Sequence, residues 1–190
     1  GAGIAFGLEW VMYDALVARV EVVDALKSGW ITTGPKTKEL ERMVAQRCGT
    51  KKAECLNSNT ACAEMTLRIL GIGPGDEVIV PAYTYTASAS VAVHVGATVV
   101  PIDCEKGKFT WDLKQLEAAI NERTKVIVPV DLFGIPADYD AILEIVESKK
   151  HLFHPSQNRP EGQPLDQTGF GEKLQRLIGR PIIMVDAAHS

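Results

Sequence analysis

From residue 53 onward, short runs rich in Val and Ile alternate with stretches of helical period, and this alternation leaves the chain few architectures. The apolar runs fall at residues 53–56, 77–80, 98–102, 125–130 and 181–185, with helical patterns between them near 60–70, 87–95, 112–121 and 138–148. Strands that are apolar along their whole length must be covered on both faces, and strands separated by helices pair in parallel. The pattern therefore predicts a three-layer α/β/α domain with a mostly parallel central sheet. The GIGPGD segment and the Gly-Ile-Pro around Gly134 punctuate it as turns.

Before the alternation begins, Trp10, Tyr13, Leu16, Val17, Val20, Val23 and Leu26 recur at three- and four-residue steps, which predicts an amphipathic helix over 10–27. A WITTGP loop follows, then a second helix over 35–48, with Pro in its first turn and Gly49 at its end. We divide the chain into an N-terminal helix and loop, 1–34, and a larger domain, 35–190. That domain carries an unusually long connection at about 151–180, HLFHPSQNRPEGQPLDQTGFGEKLQRLIGR, ending in a short helix-like stretch. Connections between a helix and the next strand normally take only a few residues. Because they run along the amino edge of a parallel sheet, this one is expected to shape a surface or a subunit contact. Its His151 and His154 read as solvated loop histidines, and no metal site is expected.

A net charge of -4 offers no basic stripe for nucleic acid. No apolar run approaches the roughly 20 residues of a membrane-spanning helix. GAGIAFGLEW lacks the basic segment of a signal peptide, so a cytoplasmic location is expected. Cys48, Cys55, Cys62 and Cys104 form no CxxC pair and are expected as buried, reduced thiols.

Three segments that can carry chemistry follow strands. Asn57-Ser58-Asn59-Thr60-Ala61 opens a helix, where free N–H groups and the helix dipole favour an anion; a plain N-cap is the simpler alternative. Pro81-Ala82-Tyr83-Thr84-Tyr85-Thr86-Ala87 places aromatic rings where one can stack on a planar group; packing of both tyrosines on a neighbouring helix is the alternative. In Val185-Asp186-Ala187-Ala188-His189, an Asp among apolar neighbours invites a cationic partner such as a protonated ring nitrogen, or else caps the next helix. All three lie at the carboxyl edge of the predicted sheet.

SGWITTGPKTKELE, the NSNTA turn, LGIGPGDEVIVPAYTYTASASVAVHVGATVVPIDCE, TKVIVPVDLFGIPADYDAI and IIMVDAAHS, in that order, resemble the DegT–StrS family of fold-type I aminotransferases. The resemblance implies a pyridoxal 5'-phosphate (PLP) enzyme that moves an amino group, with glutamate as the expected donor, to a nucleotide-linked keto-sugar. It also implies a homodimer whose sites are completed by the partner subunit. Asn59, Thr60 and Ala61 match the family's Gly-Thr-Ala positions, which hold the cofactor phosphate. Tyr85 matches the aromatic that stacks on the ring, Asp186 the carboxylate that pairs with the ring nitrogen, and His189 the Gln or His beside the phenolic oxygen. Thr33 and Gly34 match the sugar-binding entrance.

The chain departs from the family at two points. Asn59 stands where Gly is usual, and Asn tolerates unusual backbone angles better than most residues. The family's Schiff-base lysine lies downstream of the DAAH motif, beyond Ser190, and no lysine in this sequence occupies that position. The 190-residue chain alone is therefore expected to be inactive, and its fold-type I large domain incomplete. Three alternatives remain at this point: a same-fold deoxysugar dehydratase with His in place of the lysine, a non-catalytic remnant acting as a binding module, and an enzyme acting on a carbonyl compound other than a sugar.

Overall fold

A computed structural model describes residues 22–158 and 169–189. The chain forms two compact units, Gly1–Asn57 and Ser58–Ser190. This division falls later than the one read from the sequence at Gly34.

In the first unit, residues 22–27 are helical; the rest of the predicted 10–27 helix lies outside the described residues. Helix α1 (Pro35–Cys48) begins with Pro at its first position, where a missing N–H costs nothing. It ends on Gly49 in the left-handed region, φ 66°, with Thr50 N–H donating back to Ala45 O at 3.0 Å. The predicted strand at 53–56 does not form. The N–H of Cys55 donates to the Glu41 carboxylate on α1 at 3.1 Å instead of to a neighbouring strand. Glu41 also pairs with Lys38 at 2.9 Å, and these contacts, the Lys38 one foremost, hold its carboxyl below the usual range. The cysteines are not buried as expected. Cys48 and Cys55 are exposed, and Cys62 and Cys104 are half-buried.

The second unit holds the sheet. Its elements are α2 (Asn59–Ile69), β1 (Glu77–Pro81), α3 (Ala87–His94), β2 (Thr98–Ile102), α4 (Leu113–Ala119), β3 (Thr124–Ile127), α5 (Tyr139–Ser148), α6 (Phe170–Ile178) and β4 (Ile182–Ile183). Among the described residues the sheet has the order β2-β1-β3-β4, and every pair is parallel. Side chains alternate across it as the pleat requires. Val78, Val80, Val126 and Val128 face one way, against Leu67 of α2 and Leu70 just past its end, Val91 and Ala92 of α3, and Leu174 of α6. Ile79 and Ile127 face the other way, against Leu116 of α4 and Ile142 and Val146 of α5. Both strands are buried along their whole length, and beyond the polar residues at their amino ends (Glu77, Thr124 and Lys125) β1 and β3 are apolar, so the predicted three-layer fold is the one observed.

Prolines set where the strands stop. Pro101 is tolerated in β2 because β2 is an edge strand of the described sheet. Pro129 has no N–H to give, so the predicted run 125–130 is a regular strand only to Ile127 and rejoins the ladder as a single bridge, Val130 to Asp186. Asp112 and Asp138, read as first helical residues, are instead N-caps whose carboxylates accept from the opening N–H groups of α4 and α5.

The long connection is more than a surface feature. Its start, near Phe153, packs against Lys125 at the amino end of β3, while α6 packs on the opposite face of the sheet with α2. Between them the chain is fastened to the turn that leads into β1. Buried Asp76 accepts from Gly73 N–H at 3.0 Å, Ser156 Oγ at 2.6 Å and Asn158 Nδ2 at 2.8 Å. Buried Gln175 of α6 donates to Leu70 O at 2.6 Å and accepts from Ser156 N–H at 2.8 Å. Among the described residues, no helix is long and apolar enough to cross a membrane.

Helix α6 docks backbone to backbone, since a Cβ added at Gly171 would stand 2.5 Å from Leu70 C and O. Gly171→Ala is therefore expected to destabilise the fold by about 1–3 kcal/mol, the usual cost of overpacking. Urea unfolding checks this, and an unchanged midpoint would contradict backbone docking at that position.

Candidate functional site

The crossovers from β1 to β2 and from β3 to β4 travel in opposite directions across the sheet. The loops leaving β1 and β3 therefore diverge, and a crevice opens at their carboxyl ends, the usual place for a ligand in such sheets. Asn59, Thr60 and Thr66 of α2, Ser88 of α3, Val128 and Asp186 line an open cleft there.

Helix α2 enters this cleft by its N-terminus. Ser58 is the N-cap, extended at φ -162°, and its Oγ accepts from Ala61 N–H at 3.1 Å. The N–H groups of Asn59 and Thr60 come too early in the helix to reach an intrahelical carbonyl, so the first turn presents two donors and the positive end of the dipole. Asn59 is the first residue of a regular helix, and Phe133 is the one non-glycine residue with positive φ among the described residues. The backbone tolerance read from the sequence is thus not what this position uses. Its side chain is engaged instead, donating from Nδ2 to Asp186 Oδ1 at 2.7 Å.

Asp186 is the hub. Its backbone continues the sheet ladder, with N–H to Pro129 O at 2.9 Å and O accepting from Asp131 N–H at 3.0 Å. Its carboxylate takes Asn59 on one oxygen and Ser88 Oγ on the other, at 3.0 Å, with Ala188 N–H 3.3 Å from Oδ1. A carboxylate accepts about four hydrogen bonds, so room remains for one more donor. Asn59, Thr60 and Asp186, predicted from two separate segments, thus share one cleft.

The other expected residues stand as follows. Ala61 lies in the first turn of α2 with its N–H already given to Ser58. Tyr85, in the loop after β1, is 77% exposed, and Tyr83 is exposed with its ring against Phe109. Neither tyrosine is packed away on a helix. His189 is exposed in the turn after Asp186, where its carbonyl lies against Gly134. Thr33 and Gly34 belong to the first unit; Thr33 is exposed and Gly34 caps α1, packed so closely on Trp30 that a Cβ would come within 3.1 Å of the ring.

Sequence reasoning missed Ser88, Thr84 and Asp131. Thr84 and Ser88 share a hydrogen bond of 3.0 Å. Asp131 is buried at the end of β3, where it accepts from Ala137 N–H at 3.0 Å and from the Tyr139 hydroxyl. A hydroxyl one helical turn after another hydroxyl, and an Asp two residues past a strand-breaking Pro, were the signals present.

Burial, with the hydrogen bond to Asp131, pushes the Tyr139 phenol above its ordinary value of 10.0. The folded state holds that proton more tightly than the unfolded one. The associated stability is therefore fully present below pH 10.0 and is lost as pH rises beyond it. Tyr139→Phe is expected to flatten the alkaline fall in stability. Urea midpoints on either side of pH 10.0 check this, and equal slopes in the two proteins would contradict it.

Comparison with known proteins identifies the family. The sequence profile of the DegT/DnrJ/EryC1/StrS aminotransferase family matches residues 17–153. UDP-4-amino-4-deoxy-L-arabinose–oxoglutarate aminotransferase of Shewanella sediminis is 39% identical over 153 residues, covering 78% of this chain and 39% of that protein. Spore coat polysaccharide biosynthesis protein SpsC of Bacillus subtilis is 41% identical over 128 residues, covering 67% of this chain and 33% of that one. Among solved structures, Spr1654 from Streptococcus pneumoniae, assigned to the sugar aminotransferases and solved in its PLP form, superposes with a TM-score of 0.79. It is 50% identical, over 90% of this chain and 40% of its own. The chain thus spans well under half the length of these relatives. On the match over most of its residues, it belongs to the DegT/DnrJ/EryC1/StrS aminotransferase family.

Proposed function

We propose that this chain forms the cofactor cradle of a PLP-dependent sugar aminotransferase, which transfers an amino group from glutamate to a nucleotide-linked keto-sugar and works as a homodimer. The observation that carries this reading is the meeting of Asp186 with the N-terminus of α2 in a single cleft. PLP needs an anion site for its phosphate and a carboxylate for its ring nitrogen, and the cleft offers both. The family supports the reaction class. The relative named for UDP-4-amino-4-deoxy-L-arabinose and oxoglutarate supports the nucleotide-linked acceptor and glutamate as the donor.

In this reading the Asn59 and Thr60 N–H groups and the Thr60 hydroxyl hold the phosphate, helped by the helix dipole. Ala61 contributes small size beside them, because its N–H is already donated to Ser58. Asp186 holds a proton at the ring nitrogen. Tyr85, exposed after β1, covers the ring, and His189 lies towards its phenolic oxygen. Thr33 and Gly34 keep the sugar-binding role that the family resemblance implies. When bound, PLP supplies an electron-poor ring that stabilises negative charge on the amine-bearing carbon.

The amine required to join that ring covalently does not come from the sheet. Lys125 is the described lysine whose ammonium burial pushes below its ordinary range, yet it sits at the amino end of β3. A strand of that length spans roughly 13 Å, so Lys125 is on the wrong edge for the cleft.

Titration with pyridoxamine 5'-phosphate, which needs no lysine, tests the reading by absorbance and fluorescence. Saturable binding is expected, weakened at least about tenfold in Asp186→Ala, the loss typical of one charge-assisted contact. A nucleotide-linked keto-sugar, but not a simple ketone such as acetone, is expected to perturb the bound cofactor's spectrum. Binding that is absent, or indifferent to Asp186, would contradict the cradle. An equal response to both carbonyl compounds would contradict the sugar assignment.

A further inference from the structure

We propose that Asn59 and Ser88 are positioning residues that clamp the two oxygens of Asp186 and so fix the direction in which this carboxylate presents itself to a cationic ligand nitrogen. The inference rests on the reading of Asp186 as the partner of the cofactor's ring nitrogen. It adds side-chain roles that the family's usual Gly at position 59 cannot fill.

The backbone bonds of half-buried Asp186 to Pro129 and Asp131 leave its side chain unconstrained, and within its own turn Ala188 N–H reaches one oxygen alone, Oδ1, at a long 3.3 Å. Here each oxygen has its own donor from a different helix: Asn59 Nδ2 of α2 at 2.7 Å from Oδ1, and Ser88 Oγ of α3 at 3.0 Å from Oδ2. Two donors on opposite oxygens define the plane of the group. Both are neutral, so they orient Asp186 without cancelling its charge, as an Arg or Lys in the same place would.

The direction of the Ser88 contact is settled by chemistry. An ionised carboxylate only accepts, so Ser88 donates its single proton to Asp186. Its 3.0 Å contact with Thr84 Oγ1 must then be a bond that Thr84 donates. Thr84, Ser88 and Asp186 form a one-way chain, in which each bond polarises the next. Ser88 is 3% exposed, so water does not compete for this proton.

The test compares two ligands that differ at one atom: pyridoxamine 5'-phosphate and its 1-deaza analogue, with CH in place of the ring nitrogen. Asn59→Gly restores the family's usual residue and removes the clamp while leaving the helix N-terminus its N–H groups. Thr84→Val removes only the proton donated to Ser88. Asn59→Gly is expected to weaken pyridoxamine phosphate about tenfold and the deaza analogue hardly at all, with Thr84→Val giving a smaller loss of the same kind. Equal losses for both ligands would show that Asn59 merely shapes the cleft and would overturn the clamp. So would a variant that keeps the wild-type preference between the ligands. If the wild type itself shows no preference, and Asp186→Ala binds both as the wild type does, the reading of Asp186 fails and takes this inference with it.

Discussion

A carboxylate at the end of a strand, among apolar neighbours, has to be satisfied by donors that other elements bring to it. Asp186 is such a group. Its backbone is pinned to the end of β3, and its side chain is held from α2 and α3. Asn59 and Thr60 on one side and Asp186 on the other come from predicted segments far apart in sequence. They meet because parallel strands put all their carboxyl ends on one edge and because the change in crossover direction between β1 and β3 opens that edge. The helix that answers Asp186 with Asn59 is also the one whose first turn offers free N–H groups. Free N–H donors at a helix start and a side-chain donor to a carboxylate thus come from two consecutive residues.

The two edges of the sheet divide the work. At the carboxyl edge polar groups face an open cleft and keep spare hydrogen-bonding capacity. At the amino edge they are buried and satisfied against one another: Asp76 with Gly73, Ser156 and Asn158, Gln175 with Leu70, and Glu77 with Asn121 and Arg123. Closed networks of this sort rigidify, whereas an edge with spare acceptors binds. The long connection after α5 belongs to the first kind. It ties the turn ahead of β1 to α6, which packs in the same layer as the helix carrying Asn59 and Thr60.

Much of this was legible in the residues, and the failures have physical causes. Apolar runs that alternate with helical periods announced the parallel sheet, because a strand buried on both faces cannot carry polar residues at every second place. Asp186 was legible for the converse reason, a charge where the pattern called for an apolar residue. The segment 53–56 has a strand's composition, but composition does not say where its N–H groups will go, and Glu41 takes one of them. Ser88 and Thr84 look like any residues that open a helix; only the fold brings the first within reach of Asp186. Asn59 was read through its backbone because Gly is usual there, while the structure uses its side chain. Ser156 gave no sign of burial, since an irregular segment has no period to read, and Gln175 gave none because a polar residue on a short helix reads as solvent-facing. The cysteines, expected inside, lie on or near the surface, a reminder that residue type sets a tendency and position decides.

The claim on which the account stands is that the carboxyl edge, and not the amino edge, receives the cofactor. Mapping backbone amide chemical shifts while pyridoxamine 5'-phosphate is added tests it most directly. The account predicts that the largest changes fall at Asn59, Thr60, Ser88 and the residues around Asp186, with Gly73, Asp76 and Ser156 unmoved. Changes centred on the amino edge, or scattered over the surface with no response from Asn59 and Thr60, would contradict it.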